Sequence, residues 1–114
     1  MKFALVAVIV PEEHEDLAVD KVKEAGAAGV TVLKASGLGL KEKKTFFGLS
    51  YERNESVLLC IVEKSVGVNI LKFVRDALNL DKHGNGLAFS IPMDHLVGMD
   101  IASIEKFQTE REEI

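Results

Sequence analysis

Phe3-Ala4-Leu5-Val6-Ala7-Val8-Ile9-Val10 is an unbroken apolar stretch near the start of this 114-residue chain. Two further stretches are similar: Val57-Leu58-Leu59-Cys60-Ile61-Val62 has no polar residue, and Leu87-Ala88-Phe89-Ser90-Ile91 has one hydroxyl. All three are rich in strand-forming residues and lack a helical repeat, so we predict strands. An antiparallel sheet with one wet face alternates apolar and polar residues. Because these strands do not alternate, we expect both faces of their sheet to be buried.

Helices are predicted between the strands. Pro11 and the acidic residues after it suit the first turn of a helix over about residues 12–25, because proline lacks an amide donor that would be unpaired there. Ser65 is expected to cap a second helix over about residues 66–78. The inner side of the first helix is expected to carry Leu17, Ala18, Val22 and Ala25.

The order of elements predicts the fold class. A short strand is expected over residues 30–35, and the last strand, over residues 87–91, is expected to end at Pro92. The resulting order, β-α-β-β-α-β, predicts an α+β, ferredoxin-like fold, in which an antiparallel four-stranded sheet has both helices on one face.

Two helices cover only one face of such a sheet. The other face measures roughly 400 Å² from the spacing and rise of its strands, which is at the upper end of what a monomer exposes. We therefore expect an oligomer in which bare sheet faces pack together. The alternative is that a short C-terminal helix over residues 99–107 covers this face of its own sheet.

Composition limits the classes of function. The mass of 12.5 kDa fits a single domain over residues 1–114, and the net charge of −4 argues against non-specific binding to nucleic acid. The single cysteine, Cys60, excludes an intramolecular disulfide and a cysteine-rich zinc site. Residues 3–10 are too few to span a bilayer and lack a cleavage site after them, so we expect a cytoplasmic protein.

Two glycine-rich segments are candidate anion-binding loops. Gly37-Leu38-Gly39 is followed by Lys41, Lys43 and Lys44 within an irregular segment over residues 37–56, where glycines would admit a phosphate and lysines would supply charge. His83-Gly84-Asn85-Gly86 offers backbone amides in the same way. The alternatives are a glycine bend with a solvated charge run and an ordinary Asn-Gly turn.

No catalytic arrangement is evident. Cys60 is interpreted as a buried small hydrophobe, and His14, His83 and His95 lack the spacing of metal ligands on one helix. No nucleophile, general acid or general base can be placed with a partner, so we expect no enzyme activity.

Four features, taken in order and spacing, resemble the nitrogen regulatory protein P-II (GlnB-like) family over about residues 2–94. They are Gly29-Val30-Thr31-Val32, Gly37-Leu38-Gly39, the long segment to Ser56, and Gly84-Asn85-Gly86 with Phe89 before Pro92. The resemblance implies a homotrimer with inward-facing sheets and ATP or ADP bound in clefts between subunits, often with a second metabolite. It also implies nitrogen regulation, in which a flexible loop docks onto an enzyme, a transcription regulator or a membrane transporter.

The resemblance assigns roles by position. The residues expected to bind the ligand are Thr31, Gly37, Leu38, Gly39, Lys41, Gly84, Asn85 and Gly86. The effector loop is expected over residues 40–53, and its partner-binding residues are expected to be Lys43, Lys44, Phe46, Phe47 and Tyr51. Residues 95–114 would form a C-terminal extension.

The sequence also departs from the family's pattern. Asn85 and Leu87 stand where the family has an acid and then a lysine, and Cys60 is taken to stand where a strand carries a glutamate near the adenine. Residues 95–103 lack the family's paired arginines, and Tyr51 does not sit at the modified tyrosine. We therefore expect the fold and a regulatory role to be retained better than tight ATP binding.

A second interpretation is a divalent-metal-binding trimer of the CutA type, which would have the same fold. Its candidate ligands are His14, His83 and Cys60. Titration with divalent metals distinguishes this interpretation from ligand sensing.

Overall fold

The computed structural model describes residues 2–37, 45–46, 49–50 and 53–98. Its strands and helices are β1 (Phe3–Pro11), α1 (Glu15–Glu24), β2 (Thr31–Gly37), β3 (Thr45–Phe46), β4 (Leu49–Ser50), β5 (Arg53–Glu63), α2 (Lys64–Ala77) and β6 (Leu87–Met93). A short 3₁₀ helix, Glu12–His14, joins β1 to α1.

The main sheet confirms the predicted fold class. Its strand order is β2-β5-β1-β6, and each neighbouring pair is antiparallel. One row across the sheet runs from Leu33 through Val57 and Ile9 to Leu87. The strands β3 and β4 form a separate two-stranded sheet within the segment predicted to be irregular.

The strands are longer than the sequence predicts. β5 begins at Arg53, four residues before the predicted start, because its polar first residues pair with the ends of β2 and β1. β2 extends to Gly37, so the segment between β2 and β5 is residues 38–52 rather than 37–56. β6 runs through Pro92 to Met93, and proline is tolerated there because β6 is an edge strand that pairs with β1 alone.

The helix starts also differ from the prediction. Pro11 ends β1, and the α-helix begins at Glu15 after the 3₁₀ turn. At the start of α2 the capping side chain belongs to Glu63, whose Oε2 accepts a hydrogen bond from the Ser65 backbone amide at 3.0 Å. The expected cap by Ser65 is therefore wrong: Ser65 is the second residue of the helix, and its hydroxyl also donates to Glu63.

Both helices lie on one face of the sheet, which we call the covered face. It carries the alternate residues of β1 and β5 that point towards α1 and α2. The buried core on this side includes Val6, Val8, Val10, Leu58, Cys60, Val62, Ala18, Val22, Ile70 and Val74. The helix α2 lies close to the sheet because Gly67 has no side chain: a Cβ there would be 3.3 Å from Cγ2 of Val6.

The opposite face, which we call the bare face, is apolar and exposed in the single chain. Large side chains of the edge strands stand open on it: Leu33 is 48% exposed, Leu87 51%, Phe89 40% and Ile91 49%. The segment 99–107, which was the alternative cover, lies outside the described residues. Leu17, expected on the inner side of α1, is instead 48% exposed.

Candidate functional site

The turn between α2 and β6 is built on two glycines with positive φ. Gly84 has a φ of 89° and Gly86 a φ of 120°. Between them, the Asn85 amide donates to Lys82 O at 3.2 Å, and its side-chain Nδ2 donates to Asn79 O at 3.0 Å. The side chain of Asn85 therefore holds the turn against the end of α2.

Gly86 lies directly on β1. A Cβ at this position would be 2.1 Å from the carbonyl oxygen of Ile9, so no other residue fits without displacing backbone. Its φ of 120° also disfavours residues with a side chain. The glycine that the sequence marked as a candidate ligand residue is thus required for closing the fold at this edge.

Two further predicted ligand residues lie on β2, the edge strand on the other side of the sheet from β6. Thr31 is the first residue of β2, is exposed, and pairs with Leu59. Gly37 is the last residue of β2 and pairs with Arg53. The remaining candidates in this segment, Leu38, Gly39, Lys41, Lys43, Lys44, Phe47 and Tyr51, lie outside the described residues, and Phe46 is described only as part of the strand β3.

The described residues of the two halves of the predicted ligand site lie apart within one chain. β2 and β6 are the two edges of the sheet, separated by β5 and β1. Three strand spacings amount to about 14 Å, so Thr31 and the turn over residues 84–86 are at least that far apart.

Cys60 lies on the covered face and not beside Thr31. Its side chain is buried at 5% exposure, and burial raises the pKa of its thiol to about 11. The bare-face residue paired with Thr31 is Leu59. Cys60 therefore does not belong to the bare face, and its place at the position of the family's adenine-side glutamate stays a prediction from the resemblance.

The described residues do not support the metal-binding interpretation. No group of three or more His, Cys, Asp or Glu side chains that could hold a metal ion occurs among them. His14 ends the 3₁₀ turn, His83 lies in the turn after α2, and Cys60 is in the core.

A polar cluster that the sequence analysis missed lies at the outer edge of the covered face. Lys34 on β2 pairs with Glu15 at the start of α1, and its Nζ is 3.6 Å from Glu12. The fully buried Ser56 on β5 donates from Oγ to Glu15 Oε1 at 2.6 Å. Lys34 and Ser56 are paired across β2 and β5. Two polar residues at paired positions on otherwise apolar strands are the sequence pattern that could have predicted this cluster.

The cluster favours the charged forms of Glu15 and Lys34. Hydrogen bonds from Lys34 and Ser56 lower the pKa of the Glu15 carboxyl below its ordinary value of 4.5. The hydrogen bond to Glu15 raises the pKa of Lys34 above 10.5. The cluster connects β2 and β5 to α1. It lies three residues from Gly37, the end of β2, and from Arg53, the start of β5, between which residues 38–52 are found.

No helix in the described part of the chain has the length and apolar character that crossing a bilayer requires.

Comparison with known proteins agrees with this architecture. Residues 3–100 match the family described as "Nitrogen regulatory protein P-II". No curated protein matches the chain in sequence.

Solved structures show the same fold at low sequence identity. GlnK of B. subtilis in complex with ATP is 14% identical with a TM-score of 0.66, over 90% of this chain and 91% of that chain. A PII-like signaling protein from Thermus thermophilus is 22% identical with a TM-score of 0.61, over 82% and 87% of the two chains. CPII from Thiomonas intermedia, bound to ADP and bicarbonate, is 17% identical with a TM-score of 0.61, over 82% and 87%.

Proposed function

The chain belongs to the nitrogen regulatory protein P-II family, and on that premise we propose that it is a homotrimeric signalling protein that senses an adenine nucleotide in clefts between subunits. The ligand state would be passed to a target enzyme or membrane transporter by the segment over residues 38–52. In this role the protein regulates other proteins, in nitrogen metabolism or a related pathway, and catalyses no reaction of its own.

The observation that carries the proposal is the bare face. Between its ends this face is formed almost entirely by apolar side chains, and four large ones are 40–51% exposed in the single chain. Burying roughly 400 Å² of apolar surface would contribute on the order of 10 kcal/mol per subunit before the costs of association. Association through this face removes the apolar surface from water.

The separation of the two halves of the ligand site supports a shared cleft. Thr31 and the turn over residues 84–86 lie at opposite edges of one sheet. In a ring of subunits, the β2 edge of one chain faces a different edge of its neighbour, so each site would take Thr31 from one subunit and Asn85 from the next.

The choice of ligand follows from the relatives. CPII from Thiomonas intermedia was solved with ADP and bicarbonate, and GlnK of B. subtilis with ATP. In this chain Leu87 contributes no charge beside the turn, so we propose that ADP or another nucleotide with few phosphates binds better than ATP.

The assembly is tested by a matched pair of substitutions. Leu33 on the bare face and Leu17 on α1 are both 48% exposed in the single chain. Leu33→Glu places a charge in the proposed interface and is expected to give monomers, whereas Leu17→Glu leaves a trimer. Sedimentation equilibrium measures both, and a wild-type chain that stays monomeric at micromolar concentration contradicts the proposal.

The shared cleft is tested by mixing two binding-deficient variants. Thr31→Glu and Asn85→Glu each place a carboxylate in one half of the site, and each is expected to abolish ADP binding measured by calorimetry. Mixed trimers from equal amounts of the two should regain about one quarter of the sites, because only a site with both wild-type halves binds. Recovery of no sites after verified subunit exchange would mean that both halves come from the same chain.

A further inference from the structure

A cavity of about 340 Å³ lies between the second half of α2 and the start of the edge strand β6. Of the two β6 residues in its lining, Ala88 points to the covered side of the sheet and Leu87 to the bare side, so the cavity lies at the β6 edge beside α2. Its volume is within the range of pockets that hold small molecules.

Two cations on α2 line one wall of this cavity. Lys72 and Arg75 are three residues apart, so they lie on the same side of the helix. Lys72 makes no ion pair with any described residue. The Arg75 side chain pairs through Nε with Asp76 at 3.3 Å, its one ion pair among the described residues, and both side chains are more than half exposed. Such a pair contributes little free energy, so the guanidinium is available to a ligand.

The rest of the lining is mostly apolar. Leu71, Leu80 and Ala88 are partly buried and line the cavity behind the two cations. The one acidic side chain in the lining is Asp81, which leaves the cavity with an excess of one positive charge. A cation pair in front of an apolar wall is the chemistry that recognises an amphipathic anion.

We propose that this cavity binds a small organic anion, with its phosphate or carboxylate on Lys72 and Arg75 and its apolar part against Leu71, Leu80 and Ala88. Gly86 also borders the cavity, so the ligand would lie against the backbone of the turn that closes onto β1. Gly86 is shared with the predicted nucleotide-binding residues, but Thr31 and Asn85 are not in the lining, so the proposal does not rest on nucleotide binding.

Calorimetric titration of the full chain with phenyl phosphate, benzoate and the uncharged benzyl alcohol tests the proposal. The expected result is one site per chain for at least one of the two anions and no binding of benzyl alcohol. Tighter binding of phenyl phosphate indicates a phosphorylated ligand, and tighter binding of benzoate indicates a carboxylic acid. If neither anion binds, or if benzyl alcohol binds as tightly, the proposal is overturned.

Charge substitutions locate the binding. The double change Lys72→Met and Arg75→Met is expected to weaken binding of the anion at least about tenfold, the loss expected for one charge-assisted hydrogen bond. The matched control, Lys23→Met with Lys64→Met, removes the same number of charges elsewhere and leaves the affinity unchanged. Equal weakening in both variants would show a general effect of net charge and would overturn the site.

Asp81 gives a test of opposite sign that does not depend on the folding of the double variant. Asp81→Asn removes the one negative charge in the lining and is expected to tighten binding of the anion about threefold or more, since a nearby like charge is then absent. A weaker or unchanged affinity in Asp81→Asn contradicts the proposed position of the acid group.

Discussion

The two faces of the central sheet are built from the same kinds of residue, yet the helices α1 and α2 of the described chain cover only one of them. On the covered face Leu58 is 1% exposed and Val6 is fully buried, whereas on the bare face Leu87 and Ile91 are about half exposed. The polar strand residues with described side chains on the covered face are Lys34, Ser36, Asn54, Ser56 and Ser90, whereas those on the bare face, Thr31, Glu55 and Glu63, lie near strand ends. The central part of the bare face is therefore at least as apolar as that of the covered face.

We expect the two faces to be closed in different ways. The covered face is closed by α1 and α2 during folding, so its free energy does not depend on protein concentration. A face closed by other copies of the chain gives a stability that rises with concentration. Substitutions on the covered face should therefore lower stability at every protein concentration, whereas the effect of substitutions on the bare face should depend on concentration.

The largest effect is expected at Gly86, where the turn that completes the covered side lies on β1. Gly86→Ala should lower the free energy of unfolding by about 4 kcal/mol or more, because its Cβ would overlap the Ile9 carbonyl at an unfavourable φ. Urea unfolding by circular dichroism measures the change.

Two other glycines separate the causes of that effect. Gly98 has a φ of 87° with open space around it, so Gly98→Ala isolates the conformational cost of about 1–2 kcal/mol. Gly29 has open space and no positive φ, so Gly29→Ala should change stability by less than about 0.5 kcal/mol. If Gly86→Ala were no worse than Gly98→Ala, the close approach to Ile9 would not be a constraint.

The next largest effect sharpens the contrast at two adjacent leucines. Leu58 points to the covered face and Leu59 to the bare face. Leu58→Ala should cost about 2–5 kcal/mol at every protein concentration, since it leaves a cavity in the core. Leu59→Ala should mainly weaken association. The decrease in melting temperature that it causes should therefore become larger as the protein is diluted.

Differential scanning calorimetry over a hundredfold range of concentration distinguishes the two leucines. The distinction between the faces would be contradicted by two results together. The melting temperature of the wild-type chain would not change with protein concentration, and neither would the decrease in melting temperature caused by Leu59→Ala.

The sequence predicts the sheet well and the site less completely, for physical reasons. Apolar runs without alternation identified β1, β5 and β6 and implied a bare face, because burial on both sides is a property of each strand alone. The strand ends were missed because Arg53 and Gly37 extend the sheet through pairing with each other, which local composition does not encode. The cap by Glu63 was missed because a serine two residues later is the commoner capping residue.

The features of the candidate site also differ in how far the sequence predicts them. The positive φ at Gly84 and Gly86 was foreseeable from a glycine-rich turn, whereas the close contact of Gly86 with Ile9 depends on the packing of the turn against β1. The side of the sheet on which Cys60 lies depends on register, and a shift of one residue moves a side chain to the other face.

A smaller effect is expected where the covered face carries its polar cluster. A carboxyl with a lowered folded pKa stabilises the protein above its unfolded pKa, and this contribution is lost as the pH falls through the folded pKa. The difference in stability between the wild type and Glu15→Gln should therefore be full near pH 7 and vanish below the lowered pKa of Glu15. The raised pKa of Lys34 keeps its contribution intact until the pH rises beyond 10.5.

Urea midpoints between pH 3 and pH 7 measure this dependence. Asp20→Asn on the same helix is the control, because Asp20 is exposed and makes no contact with the cluster. A Glu15→Gln difference that persists undiminished at pH 3 would mean that the charge of Glu15 is not what stabilises the cluster.

The last prediction concerns the accessibility of thiols on the two faces, which requires the smallest change in stability. Cys60 is 5% exposed on the covered face and has a pKa of about 11, so at pH 8 iodoacetamide should modify it at least about a hundredfold more slowly than in urea. Leu33→Cys adds a second thiol on the bare face. Because copies of the chain are expected to cover this face, the new thiol should be protected at concentrations that favour the trimer and should react on dilution, while Cys60 stays protected at both. Fast labelling at position 33 at every concentration would show that the bare face stays open to water.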